Sequence, residues 1–308
     1  MKIVVHGQQA FGRAVLERLL EQGENVVAVC AAPEKPGRED PLAALAREKG
    51  LPLHQPASWK TPEALALMES FEADVCMMAY VLLFVPQPVL DAPRLGSFQY
   101  HPSLLPMHRG PSSINWPIRQ GATETGLTIF WPNEGLDEGP ILLQKRCDIG
   151  PDETLGDVYF GKLFPMGVDA MLEGLELVKR GDAPRVEQNL EEGSYESWFG
   201  KDAARVDWGE SATSVHDLLR AANPQPGAWT VHDGRTLKLY DSTHVEHARG
   251  APGEIVAIDD SGLTVACGTG GGVRIARVRG EEGGKVAARE YAETTGLASG
   301  QRLGDAGG

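Results

Sequence analysis

Residues 96–110 read Gly-Ser-Phe-Gln-Tyr-His-Pro-Ser-Leu-Leu-Pro-Met-His-Arg-Gly, and residues 133–140 read Asn-Glu-Gly-Leu-Asp-Glu-Gly-Pro. Each stretch follows a run with the apolar pattern of a β-strand, so His101 and Asp137 come just past two predicted strands. In an open α/β sheet, ligands bind at the strand ends and in the loops after them. We therefore expect the imidazole and the carboxylate to face one another there, on exposed loop ends.

This pairing has a chemical meaning and a plain alternative. A carboxylate beside a histidine fixes the tautomer of the ring and stabilises the imidazolium, which suits the pair to proton transfer near neutral pH. On spacing alone, however, a histidine in a loop can be only a solvated side chain, and Asp next to Gly is ordinary turn chemistry. The residue types by themselves leave both interpretations open.

The beginning of the chain predicts a doubly wound, Rossmann-like α/β fold. Residues 2–6 read as a buried strand, a helical pattern runs to Gly23, and residues 25–30 read as a second strand. The intervening turn contains Gly7 and Gly12 but lacks the third glycine of dinucleotide sites, and no acidic residue closes the second strand. We therefore predict this fold without a bound NAD.

The rest of the chain predicts a second, smaller domain. Apolar residues at helical spacing between 151 and 180 predict a long covering helix with a kink at Pro165 and Gly167. Residues 184–203 are polar and irregular and read as a linker, which gives a catalytic domain over 1–183. Short strands separated by glycine turns between 204 and 303 predict an OB-like β-barrel, and 304–308 read as a frayed tail.

Composition limits the class of protein. The chain has 308 residues and a formal net charge of -14, with no clustered Lys and Arg, which argues against a nucleic-acid partner. It contains no apolar run of eighteen residues and starts directly as a strand, so we expect a cytoplasmic protein without a membrane span. The four cysteines lack metal-ligand spacing and read as buried small hydrophobes, so no metal site is predicted.

The two quoted stretches also carry a family resemblance. The pattern His-Pro-Ser-Leu-Leu-Pro-x-x-Arg-Gly followed by Gly-Leu-Asp-x-Gly resembles the folate-dependent formyltransferase family. That family includes methionyl-tRNA formyltransferase, the sugar-amine formyltransferases and the N-terminal hydrolase domain of 10-formyltetrahydrofolate dehydrogenase. The resemblance extends over nearly the whole chain, and it implies that 10-formyltetrahydrofolate is the formyl donor and leaves as tetrahydrofolate.

The resemblance implies roles for individual residues. His101 and Asp137 would be catalytic, with Gln99 where formyltransferases have an oxyanion-binding asparagine and the hydrolase domain has an aliphatic residue. Gln carries the same amide on one more methylene, so it can still donate, from a displaced position. The implied folate-binding residues are Tyr80, Leu82, Phe84, Leu104, Pro106, Arg109, Gly110, Asn133, Glu134 and Gly135.

Residues 109–113 look like the approach to a helix. A serine hydroxyl can cap the free amides there. The start of a helix also favours anions, so it can attract the glutamate tail of a folate, although plain capping is the commoner role.

The formyl acceptor stays open at this point. The leading expectation is a small-molecule amine. Water is the alternative, because several segments of the sequence, including residues 163–165 and 226–230, resemble the hydrolase domain. The initiator tRNA is opposed by the net charge and by the polar loop 31–40, because the corresponding loop of tRNA-specific members is rich in basic residues whereas this one looks like that of the hydrolase domain. A weakly catalytic folate-binding module is the remaining interpretation, which Gln99 permits.

Overall fold

The chain separates into two compact units that alternate along the sequence. The computed structural model describes residues 1–304, so the tail predicted over 304–308 lies outside the described residues except for Gly304. The first unit comprises 1–110, 126–147 and 162–195, and the second comprises 111–125, 148–161 and the chain from 196 onward. The predicted domain bounds at 183 and 203 stay a prediction.

The first unit is built on a seven-stranded sheet with the order β3-β2-β1-β4-β5-β6-β7. Its strands are β1 Lys2–Gly7, β2 Asn25–Cys30, β3 Leu53–His54, β4 Val75–Ala79, β5 Ser97–His101, β6 Glu124–Phe130 and β7 Ile141–Asp148. Its helices are α1 Gln9–Glu21, α2 Pro41–Glu48, α3 Pro62–Ser70, α4 Gln87–Asp91 and α7 Phe164–Arg180. From β3 across the sheet to β5, each strand pairs in parallel with the next, whereas β6 runs antiparallel to β5.

The order of the strands places the site. Strand β1 lies in the middle of the sheet, and its apolar run Ile3, Val4 and Val5 is inaccessible to solvent, as expected for a buried parallel strand. The order then continues through β4 to β5, whose last residue is His101. The predicted Rossmann-like fold is confirmed for this unit.

The helical region before residue 180 is broken earlier than the proline and glycine suggest. After α6, Leu155–Val158, a π-helical turn spans Tyr159–Leu163 and leads into α7, where Pro165 lies in the first turn. The helical backbone is continuous through this turn, so Pro165, which has no N–H to donate, directly follows the wider turn. Gly167 is needed for packing: a β-carbon at this position would lie 2.5 Å from the ring of Tyr100. The predicted kink is therefore a π-turn on the N-terminal side of Pro165.

The second unit contains an antiparallel sheet with the order β10-β11-β12-β9-β8, and β13 pairs with β12. The strands are β8 Ala228–His232, β9 Arg235–Val245, β10 Ile255–Asp259, β11 Gly262–Ala266, β12 Gly272–Arg279 and β13 Val286–Ala287. The helices of this unit are α5 Asn115–Arg119, α6, α8 Ala212–Ala221 and α9 Ala288–Thr295. The predicted series of short strands is confirmed, whereas α9 was not predicted.

The predicted serine cap after Gly110 is wrong. Helix α5 begins after Ile114, which makes no side-chain cap, and it is only five residues long. The hydroxyl of Ser112 instead accepts a hydrogen bond from the backbone N–H of Phe199 at 2.9 Å. The expectation of an anion-attracting helix start at this point is withdrawn, because the hydroxyl and the short helix do not provide one.

The cysteines differ in burial. Cys30, Cys76 and Cys267 are buried as predicted, but Cys147 is half-buried near the end of the edge strand β7. Within residues 1–304, no group of three or more His, Cys, Asp and Glu side chains is placed to hold a metal ion. Within the same residues, no helix has the length and apolar character needed to cross a membrane.

His6 makes the stability of the first unit depend on pH. Its ring is buried at the end of β1 and packs against Trp59 with a centroid distance of 4.8 Å. Burial lowers the pKa of His6 from the usual 6.5 to about 3, so the folded protein holds the ring neutral while the unfolded chain takes up a proton below pH 6.5. The contribution that the neutral His6 ring makes to the free energy of unfolding is therefore fully present above pH 6.5. It is lost progressively as the pH falls towards 3.

The expected result is a difference between His6→Leu and the wild type. Below pH 6.5 the wild type loses up to about 1.4 kcal/mol of unfolding free energy per pH unit more than the variant. Urea unfolding at several pH values between 7 and 4.5 measures this slope. His247→Leu, at a fully exposed histidine, is the control and keeps the wild-type slope. Equal slopes for wild type and His6→Leu would contradict the assignment.

Candidate active site

His101 is the last residue of β5, where it pairs with Thr128 of β6. The side chain is only 5% exposed, and Nε2 lies 3.0 Å from the carbonyl oxygen of His108. A carbonyl oxygen only accepts, so Nε2 carries a hydrogen and donates it. This bond fixes the ring and leaves Nδ1 facing the other way.

Asp137 lies in the loop between β6 and β7 and meets His101 from that side. Its Oδ2 is 3.6 Å from Nδ1 of His101, and the same oxygen accepts a hydrogen bond from the backbone N–H of Gly110 at 2.9 Å. Asp137 is 8% exposed. The expectation that both residues lie on exposed loop ends is wrong, because both are buried and His101 belongs to strand β5.

The arrangement can hold one proton between two groups. Each ring nitrogen of His101 faces an acceptor, the His108 carbonyl on one side and the Asp137 carboxylate on the other. An imidazolium, which carries a hydrogen on both nitrogens, satisfies both acceptors. The pair is therefore suited to give a proton to a leaving group and to take one from a nucleophile.

The loop between His101 and Gly110 is held in place by buried side chains. The hydroxyl of Thr128, which is inaccessible to solvent, donates to the carbonyl of Ser103 at 2.7 Å and accepts the N–H of Leu105 at 3.0 Å. The amide of Gln144 reaches both the Leu105 carbonyl and this hydroxyl. Ser103 in turn donates to the carbonyl of Met107. These bonds make the loop stiff, as its two prolines predict.

Gln99 lies on the same strand face as His101. It precedes the histidine by two residues, and side chains two apart along a strand project on the same side. The residue is half-buried, and its side-chain amide has no hydrogen-bond partner within residues 1–304. The amide is therefore available to a ligand beside the imidazole.

A group of exposed apolar side chains follows β4. Leu82 and Phe84 are 58% and 56% exposed, and Tyr80 is partly exposed with a left-handed φ of 66°. Lys60 lies over the ring of Phe84 at 4.9 Å from its centroid. Large apolar side chains left in water next to one another are typical of a surface that a ligand covers. Their assignment to folate stays a prediction.

The remaining predicted folate residues have mixed surroundings. Arg109 is mostly buried and forms an ion pair with Glu138, so its charge already has a partner. Leu104 and Pro106 are half-buried in the stiff loop, whereas Gly110 is buried and holds Asp137 through its N–H. Asn133 is exposed and accepts the N–H of Gly135 in a turn, next to the exposed Glu134. Their roles in binding stay predictions.

Two polar residues near the site were missed because the sequence reads there as a linker. The amide of Gln188 donates to the carbonyl of Asp137 at 2.9 Å and to that of Gly139 at 2.6 Å. The hydroxyl of Ser194 accepts the N–H of His108 at 2.9 Å. Such single polar residues in an irregular stretch carry no periodic signal, so only the three-dimensional structure shows their position.

Comparison with known proteins finds similarity over both parts of the chain. The family model described as formyl transferase matches residues 1–163, and that of the formyl transferase C-terminal domain matches residues 200–296. Cytosolic 10-formyltetrahydrofolate dehydrogenase of Xenopus laevis is 36% identical over 308 residues, covering 96% of this chain and 34% of that protein. The chain thus spans about a third of the length of this relative.

Two further comparisons cover most of the chain. Methionyl-tRNA formyltransferase of Geobacter metallireducens is 34% identical over 99% of both chains. The crystal structure of HypX from Aquifex aeolicus in complex with tetrahydrofolic acid has a TM-score of 0.69 at 21% identity, covering 95% of this chain and 47% of that one, which shows a shared fold. With two family models and a relative of equal length in agreement, the chain belongs to the formyl transferase family.

Proposed function

We propose that this protein transfers the formyl group of 10-formyltetrahydrofolate to a small-molecule amine. The observation that carries the proposal is the buried pair of His101 and Asp137, 3.6 Å apart. Gln99, whose amide has no hydrogen-bond partner within residues 1–304, precedes His101 by two residues on β5, and the exposed apolar group Tyr80, Leu82 and Phe84 follows the neighbouring strand β4. A pair that moves protons, a donor for an oxyanion and an apolar wall are what acyl transfer from a pterin cofactor requires.

The chemistry follows from these groups. The amine nitrogen attacks the formyl carbon and forms a tetrahedral intermediate with a negatively charged oxygen, which the Gln99 amide and the His101 imidazolium stabilise. Asp137 receives a proton from the amine and gives it to the folate nitrogen, while His101, whose two ring nitrogens face the His108 carbonyl and Asp137, holds the carboxylate in place. The bond between the formyl carbon and that nitrogen then breaks, which yields the formylated amine and tetrahydrofolate.

Charge supports a small acceptor over tRNA. The net charge is -14, and phosphate backbones are bound by clustered cations. In the loop that carries basic residues in tRNA-specific members, Glu34 and Glu39 form ion pairs with Arg47, so this arginine offers no free charge. Because the chain is 34% identical to a methionyl-tRNA formyltransferase, charged initiator tRNA is included among the acceptors to be tested.

Water is the second candidate acceptor. It is favoured by the 36% identity to a 10-formyltetrahydrofolate dehydrogenase, whose N-terminal domain the sequence resembles. Gln99 favours transfer instead, because it keeps an amide where that domain has an aliphatic side chain.

The test is an incubation of the protein with 10-formyltetrahydrofolate alone, with a panel of amino sugars and other amines, and with charged initiator tRNA. Tetrahydrofolate release that requires an amine supports the proposal. Equal release in buffer alone replaces it with the hydrolase, and release that requires the tRNA replaces it with the tRNA enzyme. Binding without release in any mixture leaves a folate-binding module and overturns catalysis.

A further inference from the structure

We infer that Gln188 is a positioning residue that holds Asp137 in its working conformation. The inference rests on the proposed function, because it concerns the carboxylate of the same site. Gln188 lies 51 residues after Asp137 in the chain, yet one side-chain nitrogen donates to two carbonyl oxygens of the Asp137 loop. It touches the backbone of that loop and leaves the Asp137 carboxylate free for His101.

The Asp137 loop needs such support because its backbone is strained. Asp137 has a φ of 57°, in the left-handed region that costs a residue with a β-carbon about 1 kcal/mol or more. At Gly139 a β-carbon would lie 1.7 Å from the carbonyl oxygen of Trp131. The backbone at the end of the loop therefore passes very close to the backbone at its beginning. Conformations of this kind persist when surrounding contacts determine them.

Gln188 is itself fixed to the sheet. Two residues earlier, Val186 exchanges both backbone hydrogen bonds with Ile141, the first residue of β7, at 2.8 and 3.0 Å. This pairing places Gln188 over the Asp137 loop. The side-chain amide therefore connects the edge of the sheet to the carbonyls of Asp137 and Gly139.

The orientation of the amide is set by its surroundings. Both partners are carbonyl oxygens, which accept only, so the nitrogen of Gln188 must face them. Its Oε1 is buried and has no hydrogen-bond partner within the described part of the chain. A buried acceptor without a partner is costly, so the two bonds that the nitrogen donates to the Asp137 loop must offset this cost for the amide to stay in place.

The test compares Gln188→Ala and Gln188→Glu with the wild type. We expect kcat for tetrahydrofolate release to fall about 10- to 100-fold in Gln188→Ala, while KM for the folate changes by less than about twofold, because a small displacement of a reacting group affects the transition state most. In Gln188→Glu an ionised carboxylate faces two carbonyls, and protonation restores one donor. The deficit of this variant relative to the wild type therefore shrinks as the pH falls from 8 to 6, whereas that of Gln188→Ala stays constant.

A structural readout separates the two proposals. Hydrogen exchange of the amides of residues 135–139 in the unliganded protein is faster in both variants than in the wild type. Asn189→Ala, at the neighbouring exposed residue whose side chain makes no cap, is the control and keeps wild-type exchange and rate.

Unchanged exchange, or an unchanged kcat in Gln188→Ala while Asp137→Asn is inactive, overturns the role of Gln188 alone. An inactive wild type, or full activity in Asp137→Asn, overturns the proposed function. In that case the exchange experiment still decides whether Gln188 holds the loop.

Discussion

Replacement of Asp137 by Asn is expected to reduce folate-dependent formyl release about 100- to 10,000-fold, the usual contribution of acid–base catalysis. The amide has nearly the same shape as the carboxylate and can still accept the N–H of Gly110. It cannot take up a proton or stabilise an imidazolium at His101. The loss should therefore appear in kcat, with folate binding retained.

Replacement of His101 by Gln should have an effect of similar size. The double variant His101→Gln/Asp137→Asn should be no slower than the worse single variant by more than a few-fold, because residues that act as one unit are not additive. Steady-state rates of all three variants, with circular dichroism to verify folding, make this measurement. Additive losses would indicate that the two residues act separately and would contradict a shared proton.

The second large effect is expected at Gln99. Gln99→Leu removes the unpartnered amide while keeping a side chain of similar size, and transfer to an amine should slow about 100-fold, the lower end of what an oxyanion donor contributes. Gln99→Asn moves the same amide back by one methylene and should retain transfer or improve it. The matched pair of variants distinguishes the amide from simple bulk.

Rates with and without the amine measure the outcome at Gln99. If Gln99→Leu transfers as fast as the wild type, Gln99 does not bind the oxyanion. If the variant no longer formylates the amine but still releases tetrahydrofolate by hydrolysis, Gln99 selects between the amine and water as acceptors.

The sequence predicts the fold and the central pair for clear physical reasons. Buried parallel strands need continuous apolar runs, which is why β1, β2 and β4 were readable, and glycine turns between short strands marked the antiparallel sheet of the second unit. The positions of His101 and Asp137 near strand ends left their role open, and the family resemblance implied a catalytic pair, which stays a prediction. The two side chains do face one another, 3.6 Å apart, although β6, which leads to Asp137, runs antiparallel to β5.

The environment of the pair was not predictable in the same way. Both residues are buried among segments that are distant in sequence: Gln188 bonds to the backbone of Asp137, and Ser194 bonds to that of His108. Local sequence patterns do not encode such long-range contacts. For the same reason Gln188 and Ser194 were read as linker residues. The cap expected at Ser112 failed because its hydroxyl bonds the N–H of Phe199, a residue 87 positions away.

The most direct measurement follows a 13C-labelled formyl group by NMR. The donor is 10-formyltetrahydrofolate, mixed with a stoichiometric amount of protein and the acceptor found active. With the wild type, we predict that the formyl signal moves from the folate to the amine. With Asp137→Asn it should stay on the bound folate throughout the same period. Transfer at the same rate in both proteins, or no movement of the label with the wild type, would contradict the assignment of formyl transfer to this pair.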